Sequence, residues 1–278
     1  MERAARSTFP ATLAALALLC ASPAGAQAES GEISILVLKE HGVGSPTLAQ
    51  PYVDRFMALA AKENGWEAAK GQYVSNRSAA EAFIKANGPH YGILSLAAFL
   101  AMRVPYRLQV IGRVASSLAG GEQYFIVSPT ATELADCKGK KLASDHTDDP
   151  KFVERVVARS AFKLKDFEIV QNQRPLQSVK QVLTGEVTCA LIDDAQKAEL
   201  QHLENGETVK VVWSSKILPP MAVVAFPAAP APERKTFREK LGDVCKEEGQ
   251  SACAEVGIHA LEAAGPDDYS EVVSAYGK

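Results

Sequence analysis

From residue 33 onward the chain alternates short apolar runs with longer stretches in which apolar residues recur every three or four positions. Ile33–Leu38 (ISILVL) is largely apolar and β-branched, the mark of a strand buried on both faces. A glycine-bearing loop, HGVGSPTLAQ, follows, and Pro51 stands where a proline can open a helix, YVDRFMALAAKEN, that ends at Gly65. Glu67–Val74 predicts a second strand. Ser78 and Glu81 have the spacing of a capping box for the helix AAEAFIKAN, which Gly88 closes. Tyr91–Leu94 and Leu108–Val114 predict two more strands, separated by a helical stretch from Ser95 to Met102.

Gly120 and Gly121 interrupt this pattern, and Gln123–Val127 (QYFIV) predicts a strand crossing into a second domain. Within it, Lys141–Ser144 leads into DHTDDP and the helix KFVERVVARSAF. Phe167–Val170 leads into QNQRPLQ and the helix SVKQVLTG, and Cys189–Ile192 leads into Asp193, Asp194 and the helix AQKAELQHL. Val209–Trp213 carries the chain back, Ala222–Phe226 follows, and the proline-rich PAAPAPE opens a helix over Glu233–Val244. Strands alternating with helices imply an α/β fold with mainly parallel sheets and right-handed crossovers. Open sheets of this kind bind ligands beyond the carboxyl ends of their strands. Those ends are residues 39–45, 75–78, 95–97, 145–150, 172–177 and 193–194, and two such domains face to face would converge them on one cleft.

The first twenty-six residues follow a different pattern. Arg3 and Arg6 precede an apolar run from Leu13 to Cys20, and Ala24-Gly25-Ala26 is a small-residue exit, which together make a secretory signal peptide cleaved near Ala26. The run is about half the ~20 residues that span a bilayer. Leu19 is too bulky to precede a lipidated cysteine, so the expected product is an exported, periplasmic protein beginning near Gln27. Removing residues 1–26 moves the formal charge from −3 to −4. A mildly acidic chain lacks the basic face that nucleic acids or anionic lipids require. Four cysteines remain. Cys245 and Cys253 flank a short polar loop, and Cys137 and Cys189 stand beside strands that could be neighbours. Spacings of 52, 56 and 8 without a C-x-x-C pair suit no common zinc module, so in an oxidising compartment structural disulfides are expected.

In the order of its features the chain resembles the type II periplasmic solute-binding proteins, specifically the phosphate/phosphonate-binding group that feeds ABC importers. The likeness covers roughly residues 32 to 265 and rests on YGILSLAAFL, GGEQYFIV, ADCKGKKLAS, LQSVKQVLTGEVTCALID and SSKILPPMAVVAF. It implies two lobes joined by two hinge strands, with residues 27–121 plus 214–278 in the first lobe and 122–213 in the second. It also implies that the C-terminal segment rejoins the first lobe, and that a monomer closes on a small solute and presents it to an inner-membrane permease. Carried over by position, the hinge aromatic is Tyr124. First-lobe contacts come from His41, Ser75, Ser78 and Ser95, and second-lobe contacts from Ser144, His146, Thr147 and Asp193 or Asp194. No cofactor is implied.

One turn departs from the group's pattern. Where phosphonate binders usually have serines and threonines, DHTDDP brings Asp145, Asp148 and Asp149. A helix N-terminus favours an anion by roughly 0.3–1 kcal/mol, and a carboxylate at about 4 Å repels one by as much or more at an effective dielectric near 20. A bare phosphate therefore fits poorly, and an amine-bearing phosphonate, another cationic or zwitterionic solute or a metal complex fits better. Asp148 and Asp149 also precede a helix and can simply cap it. Asp145, His146 and Asp149 have no recognisable ligand spacing, so no metal site is assigned. There is no G-x-S-x-G, H-E-x-x-H, P-loop or GxGxxG, and the expectation is a binding protein, not an enzyme. Two other readings stay open: an exported sensor or partner-binding module of the same fold, and a lyase using His146 with Asp145 and Asp194 as acid–base groups.

Overall fold

The computed structural model describes residues 31–41, 46–115 and 120–278; the expected signal peptide and its cleavage site lie outside them. The strands are β1 (Ile33–Leu38), β2 (Ala69–Val74), β3 (Tyr91–Leu94), β4 (Gln109–Ala115), β5 (Tyr124–Ser128), β6 (Lys141–Ser144), β7 (Glu168–Gln171), β8 (Cys189–Asp193), β9 (Lys210–Ser214), β10 (Ala222–Ala225) and β11 (Ala260–Ala263). They form a six-stranded sheet, β11-β4-β10-β3-β1-β2, and a five-stranded sheet, β7-β6-β8-β5-β9.

The parallel character implied by the strand–helix alternation holds within β2-β1-β3 and β7-β6-β8. The strands that carry the chain between sheets run antiparallel to their neighbours: β10 against β3 and β4, and β5 against β8 and β9. A strand that enters a sheet from the partner sheet has no covering helix to reverse it, so it arrives in the opposite sense. β11, which the sequence pattern did not single out, adds an antiparallel edge to β4.

Helices cover both faces. Pro46–Asn64 and Ala231–Val244 lie on one face of the larger sheet over Ile33, Ile35 and Val223. There Trp66, Tyr91 and Phe237 pack ring against ring at 4.7–5.7 Å, an arrangement that stabilises by about 0.5–1.5 kcal/mol per pair beyond its area. A second apolar cluster contains Leu36, Leu94 and Phe99 from the larger sheet's side and Ile126, Leu142 and Leu191 from the smaller. The first helix begins at Pro46 and holds Pro51 within it; of two prolines that could open it, the earlier takes the first helical position.

The described part of the first crossing, 120–123, and the second crossing, 215–221, are laced together. Ser215 N–H donates to Tyr124 O at 2.8 Å and Leu218 N–H to Glu122 O at 2.7 Å. The Tyr124 N–H donates to Ser215 Oγ at 3.0 Å. Cys137 is bonded to Cys189 (Cα–Cα 6.0 Å) beneath the smaller sheet, and Cys245 to Cys253 (5.6 Å) beside the larger. The segment between the latter pair is mostly a short helix, Gly249–Glu255, where the polar composition suggested a loop. The last helix, Ser270–Gly277, does not stay with the larger sheet. Glu271 pairs with Arg159 at 2.7 Å, and Tyr276 O–H donates to Asp149 at 3.2 Å, so the chain ends as a strap across both halves. No helix among the described residues is long and apolar enough to cross a membrane.

Candidate functional site

The carboxyl ends of β1, β3 and β8 meet the start of β5 around a cavity of about 240 Å³, whose lining includes Lys39, Glu40, His41, Ser95, Tyr124, His146, Asp193 and Gln196. An adjoining opening is lined by His41, Ser75, Asn76, Asp145 and Asp148. Both sheets contribute to each.

On the first side, His41 follows β1 with φ at +59°. A non-glycine residue in the left-handed region carries of order 1 kcal/mol or more of backbone strain, and here that conformation turns the imidazole across the gap. Its Nδ1 lies 3.6 Å from Asp145 and its Nε2 3.4 Å from Asp148. Burial alone would lower the imidazole, but the two facing carboxylates outweigh it and raise His41 to about 10. Arg77 makes a second bridge. Its guanidinium lies 2.7 Å from Glu40 and 2.8 Å from Asp149, both carboxylates buried. Ser95 donates its hydroxyl to Glu40 at 3.3 Å.

On the second side, the turn after β6 is held internally. Ser144 Oγ donates to Leu191 O at 2.8 Å and accepts from His146 N–H at 3.1 Å. Asp149 caps the following helix by accepting from Phe152 N–H at 2.9 Å. Gln196 is the hub: its amide nitrogen donates to Asp145 Oδ1 at 2.9 Å and to Pro175 O at 2.6 Å, and its amide oxygen accepts from Asp193 N–H at 2.9 Å. That same oxygen lies 2.9 Å from His146 Nε2. Asp193 returns the bond to Gln196 N–H, a reciprocal cap of the helix Asp194–Glu199. Burial opposes ionisation of Asp145, but His146 and His41 override it and hold the carboxyl below its usual range. Asp193 goes the other way, raised chiefly by burial.

Burial, with Asp193 and Asp194 nearby, keeps the Tyr124 phenol neutral and able to donate. Burial lowers Lys39 while the same aspartates oppose that. Gly120 has φ +81°, and a Cβ there would lie 2.6 Å from Asp193 Oδ2, so only glycine permits this approach.

Of the residues singled out from sequence, His41, Ser95, Tyr124, His146 and Asp193 line the main cavity and Ser75 the adjoining one. The others lie elsewhere. Ser78 sits in the first turn of the helix Arg77–Asn87, and Asn76, not Ser78, is its cap, accepting from Ala79 N–H. Ser144 is wholly buried and spent on backbone bonds, and Thr147 is buried within the turn. Asp194 points away from the cavity and accepts from the N–H groups of Glu122 and Gln123, pinning the first crossing. Sequence reasoning passed over Lys39, Glu40, Arg77 and Gln196. The first two stood in the strand-end segment 39–45, and Gln196 was legible as the fourth residue of a D-x-x-Q cap. Arg77 carried no local signal.

A family model described as ABC transporter, phosphonate, periplasmic substrate-binding protein matches residues 55–269. Among solved structures, the chain is similar to a binding protein component of an ABC phosphonate transporter from Pseudomonas aeruginosa, at 12% identity over 87% of this chain and 84% of that one, TM-score 0.64. It is also similar to PhnD1 from Prochlorococcus marinus in complex with methylphosphonate, at 10% identity over 88% and 97%, TM-score 0.64. A third similar structure is XAC2383 from Xanthomonas citri bound to ATP, at 8% identity over 89% and 96%, TM-score 0.68. At such identities the likeness is one of fold: two α/β lobes of the type II periplasmic binding architecture. No curated protein matches the chain by sequence.

Proposed function

The chain belongs to the periplasmic substrate-binding proteins of phosphonate ABC transporters, and from that premise we propose that it captures a small solute bearing both an oxyanion and a cationic group. The observation that carries this reading is the 240 Å³ cavity, walled by strand ends of both sheets and mixing Lys39 and the Tyr124 hydroxyl with the carboxylates of Glu40 and Asp193. A carboxylate about 4 Å from a bare dianion costs about 8 kcal/mol at an effective dielectric near 20, more than one helix N-terminus returns. An amine on the solute turns that cost into attraction. The anionic head takes Lys39 and Tyr124, and the amine takes Asp193 with Glu40.

Residues 27–121 with 214–278 form one lobe and 122–213 the other, and the protein acts as a monomer, since one copy supplies both walls. The solute selects the state in which the lobes are closed, and that state is what the permease receives. Residues 1–26 direct export and are removed near Ala26. The family is one of transport components and not an enzyme class; His146 and Asp194 are tied to Gln196 and to the crossing, which favours capture over turnover.

Thermal-shift and calorimetric titration against methylphosphonate, 2-aminoethylphosphonate and phosphate tests the reading. The aminophosphonate should bind most tightly, with Tyr124→Phe and Asp193→Asn each weakening it at least tenfold while melting cooperatively. A flat response to all three, or a preference for phosphate, would overturn the solute class.

A further inference from the structure

We propose that the cleft contains a binding site for a divalent transition-metal ion, formed by His41 from one lobe and Asp145 and His146 from the other. Each of the three offers a ligand atom, and these atoms lie within 4.8 Å of one another. Two imidazoles and a carboxylate form a borderline nitrogen and oxygen donor set, suited to Zn²⁺, Ni²⁺ or Co²⁺ and poorly matched to Mg²⁺ or Ca²⁺.

An independent observation points to the same place. Asp145 Oδ2 is shielded from solvent and has no hydrogen-bond partner, in a side chain only 2% exposed. The ion pair this oxygen makes with His41 Nδ1 is 3.6 Å long, beyond hydrogen-bonding range, so a cation seated between the two would satisfy the buried oxygen better.

The surroundings hold the ligands as metal sites require. The Gln196 amide oxygen can only accept, so His146 Nε2–H is the donor in their contact. That bond fixes the orientation of the His146 ring, whose Nε2 also lies 3.6 Å from Asp145 Oδ1. Gln196 also donates to Asp145 Oδ1, so one amide positions two ligands. Across the gap, Asp148 Oδ1 lies 3.4 Å from His41 Nε2, so an ion at Nδ1 displaces to solvent the proton that faces Asp145, while the Nε2 proton stays toward Asp148. A ligating histidine whose other nitrogen faces a carboxylate or an amide oxygen is the usual outer-sphere arrangement. His146 and Asp149 are neighbours in the same turn, but it is His41, from the opposite lobe, that completes the set; no spacing within one loop could have revealed it.

Two consequences follow. Tetrahedral ligands about 2 Å from a metal are about 3.3 Å apart, so coordination draws His41 toward Asp145 and the lobes toward each other. His41 and His146 both line the main cavity, so the open fourth position faces it.

The site rests on these residues and not on the identity of the solute, and the experiment separates the two. Mature protein freed of metal by chelator is titrated calorimetrically with ZnCl₂ and NiCl₂ in the absence of solute, and its radius of gyration is followed by small-angle scattering. We expect one ion per chain, a decrease in radius on binding, and affinity at least tenfold weaker in His41→Ala and in His146→Ala, with His202→Ala unchanged. Because His146 is buried, each variant's melting curve is recorded first, and His41→Ala, at the cleft surface, remains decisive if His146→Ala unfolds. Absence of saturable binding, or equal affinity in wild type and His41→Ala, overturns the site. Solute titrations repeated in chelator report on the solute reading alone, so either proposal can fail while the other stands.

Discussion

At the carboxyl ends of β1 and β2 the cleft-facing groups ride on reach: His41 on a left-handed backbone after β1 and Arg77 on a long side chain from the start of the helix after β2, both extending across the gap. At the carboxyl end of β6 the opposing groups are fixed in place: Ser144, Asp149 and Gln196 tie a five-residue acidic turn to its own lobe before anything arrives from the other side. One side is a set of adjustable cations and the other a rigid set of carboxylates. Two rigid faces could meet in only one arrangement, whereas a rigid face opposed by flexible side chains keeps its contacts over a range of opening. The arrangement also places positive groups where the acidic turn alone would repel an anion.

The largest effect should come from loosening the rigid side. Replacing Cys137 and Cys189 by alanine opens a 52-residue separation and is expected to cost about 4 kcal/mol by loop closure. The Cys245/Cys253 pair, 8 residues apart, should cost only about 2–3 kcal/mol. Equal losses in denaturant melts of the two double variants would contradict the claim that the second lobe depends more on its brace. Next, Arg77→Ala leaves Glu40 and Asp149 buried without their cation and should cost about 3 kcal/mol, a fall of roughly 6–12 °C in melting temperature for a chain of this size. A drop of a degree or less would mean the bridge contributes nothing net. Ser144→Ala strips bonds from Leu191 O and His146 N–H and should cost about 2 kcal/mol while lowering solute affinity only through the turn, which calorimetry can separate from melting.

The smallest effect concerns the C-terminal strap and pH. Burial, and then the Asp149 carboxylate, push the Tyr276 phenol up to about 12. The neutral phenol donates to Asp149, and its ionisation would set two anions against each other. The docked phenol binds its proton more tightly than a free one, so the strap's contribution is complete below about pH 10 and is lost as pH rises through 12. Spectrophotometric titration should show one fewer late-ionising phenol in Tyr276→Phe, and limited proteolysis of the strap should become independent of pH in that window.

What was legible in the residues was what short-range physics writes along the chain. Runs such as Ile33–Leu38 and Tyr91–Leu94 matched their strands residue for residue, because burial on both faces leaves no polar alternation to blur the ends. The alternation of strands with helices, the Gly120-Gly121 interruption and the family resemblance were enough for the two-lobe architecture. The fold also put His41, Ser95, Tyr124, His146 and Asp193 around one cavity, since each stands at a strand end that topology sends to the same edge. Tertiary structure alone decided which polar groups at those ends face the gap. Ser144 and Asp194 stand beside residues that line it, yet their side chains turn to Leu191 and to the crossing. Arg77 meets Asp149 across 72 residues of chain, and His41 meets Asp145 across 104. Propensity and spacing act over a few residues, whereas a contact between lobes depends on how two separately folded sheets are set against each other, which no local pattern encodes.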